Sequence, residues 1–341
     1  MTQIFSSFDN FQNLQASDFE WIESMAQAET YQPGTVLIKA GKFSPFIYLC
    51  LSGNLTATST QADDSKQQLM EISAGELIGE TSLLDDRPDL YSVTVTETAQ
   101  LLTIPKHNIE HRLQSDRDFA ASFYHLLSIN LSERLRKLTN LMGKQNIREG
   151  EPLRKVLVVF AVLNDSDISW MVANGRAEKA ALNTVLIQQN REVPAVYLLL
   201  EGLVGIYLQI NNNYGVQEKE IAKRVKGEIL GDMSFVDGGT ASVTVKALEN
   251  AWILAISRQT LTAKLKADRA FASRFYRSIA LTLSNRCLDL LARSSTAMLS
   301  SETVEMLSAD IEVEDELDLD MLAGTAIAGT RFDWMINQLR R

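Results

Sequence analysis

The stretch NLQASDFEWIESMAQAETYQPGTVLIKAGKFSPFIYLCLSGNL, residues 13–55, returns as VLNDSDISWMVANGRAEKAALNTVLIQQNREVPAVYLLLEGLV at 162–204. Leu14 answers Leu163, Asp18 answers Asp167, and Trp21 answers Trp170. Thr35, Pro45, Tyr48 and Gly53 answer Thr184, Pro194, Tyr197 and Gly202 at the same spacing. Further along, GETSLL (79–84) answers GDMSFV (231–236), and SVTV from Ser92 answers SVTV from Ser242. DRDFAASFY from Asp116 answers DRAFASRFY from Asp268. An internal repeat this long means two copies of one folding unit in series.

Each copy reads as helix, strands, helix. In the first, Ser17 with Glu20 three residues on has the form of a capping box, and Phe19, Ile22 and Met25 share a helical face. TVLIKAG, FIYLCLSGNLTATST and KQQLMEIS are β-branched and aromatic runs broken by Gly, Pro, Ser and Asn, the pattern of short antiparallel strands. After SVTVTETAQLLTIP the period changes to helical. Phe119, Phe123, Leu127, Leu131, Leu135 and Leu138 fall on one stripe from Asp116 to about Met142. Phe271, Phe275, Ile279, Leu283 and Leu290 repeat it from Asp268 to about Arg293. The fold class is α+β, mainly β. Two consecutive strand-rich bodies are each flanked by an N-terminal helix and a long C-terminal helix. The expected division is a first domain over 1–142, a linker over 143–152, a second domain over 153–293 and an acidic tail over 294–341.

Composition narrows the function. The 341 residues carry a net charge of −10, which argues against a nucleic-acid partner, because phosphate binding needs clustered Lys and Arg. The N-terminus lacks a basic start followed by an apolar run, and no apolar stretch reaches the roughly 18 residues of a membrane span. No membrane partner and a cytoplasmic location are therefore expected. Cys50 and Cys287 do not match across the repeat and read as buried, reduced thiols. His107, Glu110 and His111 spell H-x-x-E-H, a zinc-protease pattern. Gln259, Thr262 and Ala263 replace them in the second copy, so they read as a chance surface pattern. With no triad, no paired CxxC and no phosphate-gripping loop ending in Lys, the chain reads as non-enzymatic.

The stretches PGTVLIKAG (33–41), IYLCLSGNL (47–55), GELIGETSLLDDRP (75–88) and the following SVTV resemble the cyclic-nucleotide-binding domain. That family includes catabolite-activator-type regulators and the regulatory subunit of the cyclic-AMP-dependent protein kinase. The resemblance implies that each strand-rich body is a jelly-roll-like β-roll of the double-stranded β-helix kind. It also implies a phosphate-binding cassette, a small helix opening after a Gly-Glu pair. Its Glu accepts the ribose hydroxyl, and an Arg about ten residues on grips the cyclic phosphate. Gly79 and Glu80 match the pair in the first copy, and Gly231 with Asp232 in the second. Thr81 and Met233 follow as the first cassette residues.

Counted back from SVTV, the place of the Arg is held by Tyr91 and by Ala241, with Ser92 and Ser242 beside them. Arg87 lies on two extra residues of the first copy and either turns into the pocket or pairs with neighbouring aspartates. No cofactor is called for by this reading; cyclic AMP or cyclic GMP in the first domain is what the resemblance implies. Two functions follow. One is a regulatory scaffold whose degenerate domains bind a protein partner through the long helices and the acidic tail. The other is a cyclic-nucleotide sensor that reads its first domain and signals through the long helix. No helix-turn-helix follows Arg293. In the tail, Trp334, Met335 and Leu339 form an apolar anchor for a partner or for the chain's own domains. Leu135, Leu138 and Leu141 offer a seam for the second domain or for a homodimer.

Overall fold

Alternating apolar runs become sheets because every strand must pair its backbone and bury one face. The structure, a computed structural model, describes residues 8, 11–60, 66–85, 87–89, 91–144, 157–212, 215–294 and 319–341. The first copy runs α1 (Ala16–Met25), β1 (Gln27–Tyr31), β2 (Val36–Ile38), β3 (Phe46–Ser52), β4 (Leu55–Thr60), β5 (Lys66–Ile72) and β6 (Leu77–Ile78). It continues with α2 (Thr81–Leu84), β7 (Ser92–Val95), β8 (Ala99–Pro105), α3 (Lys106–Ser115) and α4 (Arg117–Lys144). The strands form two antiparallel four-stranded sheets, in the orders β1-β8-β3-β6 and β2-β7-β4-β5.

The second copy opens with α5 (Val158–Val162) and α6 (Asp165–Asn174), then β9 (Arg176–Ala180), β10 (Val185–Ile187), β11 (Ala195–Glu201), β12 (Val204–Asn212), β13 (Gly215–Arg224) and β14 (Ile229–Leu230). It closes with α7 (Asp232–Asp237), β15 (Thr244–Ala247), β16 (Ala251–Ser257), α8 (Arg258–Ala267) and α9 (Arg269–Ser294). Its sheets, β14-β11-β16-β9 and β10-β15-β12-β13, repeat the topology of the first. A last helix, α10, spans Leu319–Leu339. The α+β, mainly β, double-roll architecture is therefore the one the repeat called for. Most of the linker at 143–152 and the carboxylate-rich stretch before α10 lie outside the described residues.

The same devices close both rolls. Gly53 and Gly202 take φ of +87° and +94°, and a Cβ on Gly202 would stand 2.8 Å from the Asn250 carbonyl, so the turn after β11 admits only glycine. Asp116 and Asp268 cap the long helices, accepting the N–H of Phe119 at 3.0 Å and of Phe271 at 2.9 Å. The stripe residues Phe119, Phe123, Leu127, Phe271, Phe275, Ile279 and Leu283 are all buried.

The first helix starts differently from the capping box expected at Ser17 and Glu20. Helix α1 begins at Ala16, and the Gln15 N–H donates to the Asp18 carboxylate at 3.1 Å. In α6 the Asn164 N–H donates to Asp167 at 3.0 Å, and the Asp167 N–H donates to the Asn164 side chain at 3.0 Å. Asp18 is thereby drawn inward, only 5% exposed, and needs a cation. Arg112 supplies it at 2.7 Å while lying 4.4 Å from the Trp21 ring and 4.2 Å from the Phe119 ring. One guanidinium thus ties α1, α3 and α4 together.

In the second copy Lys264 takes the stacked place, at 5.7 Å from Trp170 and 5.3 Å from Phe271. The ammonium pairs with Asp268, and Asp167 is answered instead by Arg274, at 2.6 and 2.8 Å. A point charge cannot stack and fork as a guanidinium does, so a second cation is required.

The chain divides into two compact units. Among the described residues, one comprises those up to 131 with 286–294, and the other 132–285 with 319–341. Leu135 and Leu138 are buried, leaving Leu141, at 44% exposure, as the open residue of the expected seam. In the second unit α10 packs on α5 and α6. Phe332 meets Phe160 edge-on at 5.1 Å, and Arg331 reaches the Asp165 carboxylate at 2.7 Å and the Phe160 carbonyl at 3.0 Å. The anchor expected at Trp334, Met335 and Leu339 is in fact Phe332, Met335 and Ile336. Trp334 is 40% exposed because it sits on the opposite side of the helix.

Arg112→Met should lower the unfolding free energy by roughly 3 kcal/mol, since it strands a buried carboxylate. Urea unfolding would show this as a lower midpoint at unchanged slope; an unchanged midpoint would mean that Asp18 needs no partner.

Candidate functional site

Each cassette hangs from a glycine that no other residue can replace. Gly79 has φ of +87°, and a Cβ there would lie 2.6 Å from the Phe46 carbonyl oxygen. Gly231, at φ +79°, would bring its Cβ to 2.9 Å from Val193 and 3.0 Å from the Ala195 carbonyl. Directly after them, Glu80 is fully buried and Asp232 is 3% exposed. The helices they open are short, four residues in α2 and six in α7, so their dipoles contribute little and side chains dominate the electrostatics.

Ladder register fixes which residues correspond. The Ala40 N–H donates to the Ser92 hydroxyl at 3.1 Å, and the Gln189 N–H donates to the Thr244 hydroxyl at 3.1 Å. Strand β2 pairs Val36 with Thr94 and Ile38 with Val93, while β10 pairs Val185 with Lys246 and Ile187 with Val245. Ser92 is therefore the counterpart of Thr244, and the SVTV of the second copy is displaced by two residues. The copies are equally long through the cassette. Their offset changes earlier: Leu55 pairs with Ile72 and Val204 with Arg224, separations of 17 and 20 residues, so the second hairpin is three residues longer.

The register also decides which residue of the first copy corresponds to Ala241. The Gly41 N–H donates to the Asp89 carbonyl at 2.8 Å and the Asp89 N–H to the Lys42 carbonyl at 3.1 Å. Their equivalents are Asn190 N–H to the Ala241 carbonyl at 2.8 Å and Ala241 N–H to the Arg191 carbonyl at 2.9 Å. Asp89, not Tyr91, is thus the counterpart of Ala241. Each lies ten residues beyond its cassette glycine, Gly79 or Gly231. Tyr91 is a buried residue one position before β7, and the Ser92 hydroxyl accepts the Ala40 N–H, two residues beyond β2. Ser242 donates only weakly, to the Met233 sulfur at 3.9 Å. Thr81 is buried, and its carbonyl accepts the Asp85 N–H at 3.1 Å.

Asp89 is 2% exposed, and its carboxylate accepts the Ser44 N–H at 3.2 Å. Burial pushes its pKa up to about 6; Glu80 adds to the rise, while Lys106 and the Ser44 N–H oppose it. Lys106 is itself 5% exposed, and its ammonium donates to the Ser82 hydroxyl. Burial lowers the Lys106 pKa against the pull of Asp89, Glu80 and Glu110. The first cassette therefore encloses two buried carboxylates and one buried ammonium. Of the two expectations for Arg87, the described contact is the local one: its guanidinium pairs with Asp85.

Arg258, the counterpart of Lys106, donates to the Ser234 carbonyl of α7 and lies 5.6 Å from the Phe235 ring. This pair of cations escaped the reading of the sequence, although the spacing that joins DRDF to DRAF, carried back ten residues, lands on both.

Cys50 and Cys287 are buried free thiols; burial, then Glu76, pushes the Cys50 pKa up to about 11. His107, Glu110 and His111 are exposed on α3, and no group of metal-binding side chains occurs among the described residues. No helix among them is long and apolar enough to cross a membrane.

Each of the two rolls carries a glycine-opened cassette, and comparison with known proteins places them in one domain family. The cyclic nucleotide-binding domain model matches residues 28–116 and 178–268, together more than half of the chain. The chain belongs to the cyclic nucleotide-binding domain family. It is 26% identical over 151 residues to the potassium channel KOR2 of Oryza sativa subsp. japonica, a match covering 44% of this chain and 18% of the channel. The chain thus spans about a fifth of that relative.

Among solved structures it is similar to the regulatory domain of Toxoplasma gondii protein kinase A with cyclic AMP. That match has 16% identity, covers 78% of this chain and 91% of that one, and has a TM-score of 0.30. The regulatory subunit of a cyclic-AMP-independent protein kinase A from Trypanosoma cruzi, bound to guanosine, matches at 15% identity, 78% and 82% coverage and a TM-score of 0.30.

Because the folded Asp89 holds its proton to about pH 6 against an ordinary 3.8, stability contributed by the neutral form is lost as pH rises between those values. An asparagine in its place cannot titrate. The unfolding free energy of Asp89→Asn relative to wild type should therefore climb from pH 4 to pH 6.5, by on the order of 2–3 kcal/mol, and then level off. Urea unfolding at both pH values checks this, and a difference independent of pH would refute it.

Proposed function

We propose that the chain is a non-enzymatic regulatory protein whose two domains act through protein contacts, with nucleotide pockets that no longer grip a cyclic phosphate. The observation that carries this reading is Asp89. It is a buried carboxylate at the position the family gives to the phosphate-binding Arg, close enough to Glu80 to raise its pKa. Losing a charge-assisted hydrogen bond alone costs about 1.5–3 kcal/mol, or roughly ten- to more than a hundredfold in affinity. Replacing the cation by an anion adds like-charge repulsion on top. In the second copy Ala241 offers no charge at all.

Protein contact is supported by surface that the chain leaves open. Ile327 and Trp334, seven residues apart on one face of α10, are 48% and 40% exposed. Arg340, near the end of that helix, lies 6.0 Å from the Trp252 ring and pairs with Glu201, which holds the helix on its roll. The carboxylate-rich stretch before α10 enters the proposal through its charge alone. The sensor reading draws on one feature, the buried ammonium of Lys106 beside α2. That charge is already shared between Asp89 and Glu80, which favours the scaffold reading.

Calorimetric titration of the full-length chain with cyclic AMP and cyclic GMP separates the two. No heat up to millimolar ligand is expected. Micromolar binding of either nucleotide would make the chain a sensor and end the scaffold reading.

A further inference from the structure

The two copies differ in how they neutralise one cassette aspartate. In the first, Asp85 ends α2 and pairs with Arg87, two residues on. In the second, the counterpart Asp237 ends α7, and glycine stands where Arg87 would be. The carboxylate of Asp237 is answered instead from the last turns of α4, which belong to the same compact unit. Arg136 Nε donates to Oδ2 at 2.7 Å and Nη2 to Oδ1 at 3.1 Å, a two-pronged ion pair. Arg136 Nη1 also donates to the Thr240 carbonyl at 3.0 Å. The Ser132 hydroxyl donates to Oδ2 at 2.8 Å and the Gly239 N–H to Oδ1 at 2.9 Å, so four donors converge on one carboxylate.

The site is built for this contact. Ser132 is fully buried, and the Asp237 and Arg136 side chains are only 10% and 24% exposed. A Cβ on Gly239 would stand 3.2 Å from Arg136 Nη2, tighter than most side-chain contacts, so glycine here leaves room for the guanidinium. Gly238 beside it takes φ of +71°, which turns the chain back toward that same contact.

We infer that Arg136 and Ser132 form a built-in latch on the second cassette, so that the last turns of α4, rather than a bound ligand, hold α7 and its following loop in place. The latch goes beyond the scaffold reading and stands whether or not either pocket takes up a nucleotide. Its chemistry is that of a ligand phosphate reversed: here the cassette supplies the anion and the helix supplies the cation. Releasing Arg136 from Asp237 would free α7 without touching the roll beneath it.

Amide hydrogen exchange on the full-length chain tests this, by comparing peptides over 232–241 with the matching first-cassette peptides over 80–89. Arg136→Gln should speed exchange over 232–241 by about ten- to a hundredfold and leave 80–89 unchanged. Asp237→Asn should do the same, and it keeps the side-chain shape should the first variant fold poorly. Unchanged exchange over 232–241 in both variants would overturn the latch. An equal rise in both cassettes would overturn it as well, since it would mean loss of general stability.

Discussion

A charge taken out of water must be met by another, and in this chain that constraint decides what each cassette can do. Asp89, which we propose stands where the family places a guanidinium, is buried, and Lys106 is buried on Ser82 beside it. Once Lys106 serves Asp89 and Glu80, no uncommitted cation remains in that set of residues for a cyclic phosphate. The acidic side chain is thus more than a missing contact. It shares a buried environment with Lys106 and Glu80, while the guanidinium of Arg87 pairs with Asp85.

The same rule runs through the rest of the repeat. Asp18 and Asp167 enter the interior as parts of helix starts, and each recruits a cation from another helix. Where Arg112 forks and stacks at once, one residue suffices; where Lys264 stands instead, Arg274 is needed as well. Asp85 and Asp237 repeat the pattern at the ends of the cassette helices, one answered by its neighbour and the other by α4. At Asp18 and Asp167, and at Asp85 and Asp237, divergence between the copies is carried by where the cations come from, while these carboxylates and the strand topology hold still. Asp89, answered by Ala241, is the carboxylate that changes.

Much of this architecture was legible in the sequence because a repeat shows which features are structural. The strands follow the alternating runs, and the buried stripes of α4 and α9 follow the Phe and Leu spacing. What was not legible depended on register. The two SVTV runs look equivalent, yet a hairpin three residues longer in the second copy puts Ser92 opposite Thr244. Identity of letters misled where hydrogen bonding decides. Counting ten residues forward from Gly79 reaches Asp89 directly, whereas counting back from SVTV reached Tyr91. Caps at Gln15 and the anchor at Phe332 were missed for a related reason: several polar or apolar residues compete within one turn, and packing selects among them. Lys106 was overlooked because a lone lysine at a strand end gives no sign of burial.

The claim that Asp89 holds the phosphate-binding position is tested most directly by placing an arginine at each of the two rival positions. Cyclic AMP binding to Asp89→Arg and to Tyr91→Arg would be measured side by side by calorimetry, with folding of both variants verified by circular dichroism. The strand register predicts binding at least ten times tighter for Asp89→Arg than for Tyr91→Arg. Equal affinities, or tighter binding by Tyr91→Arg, would contradict it.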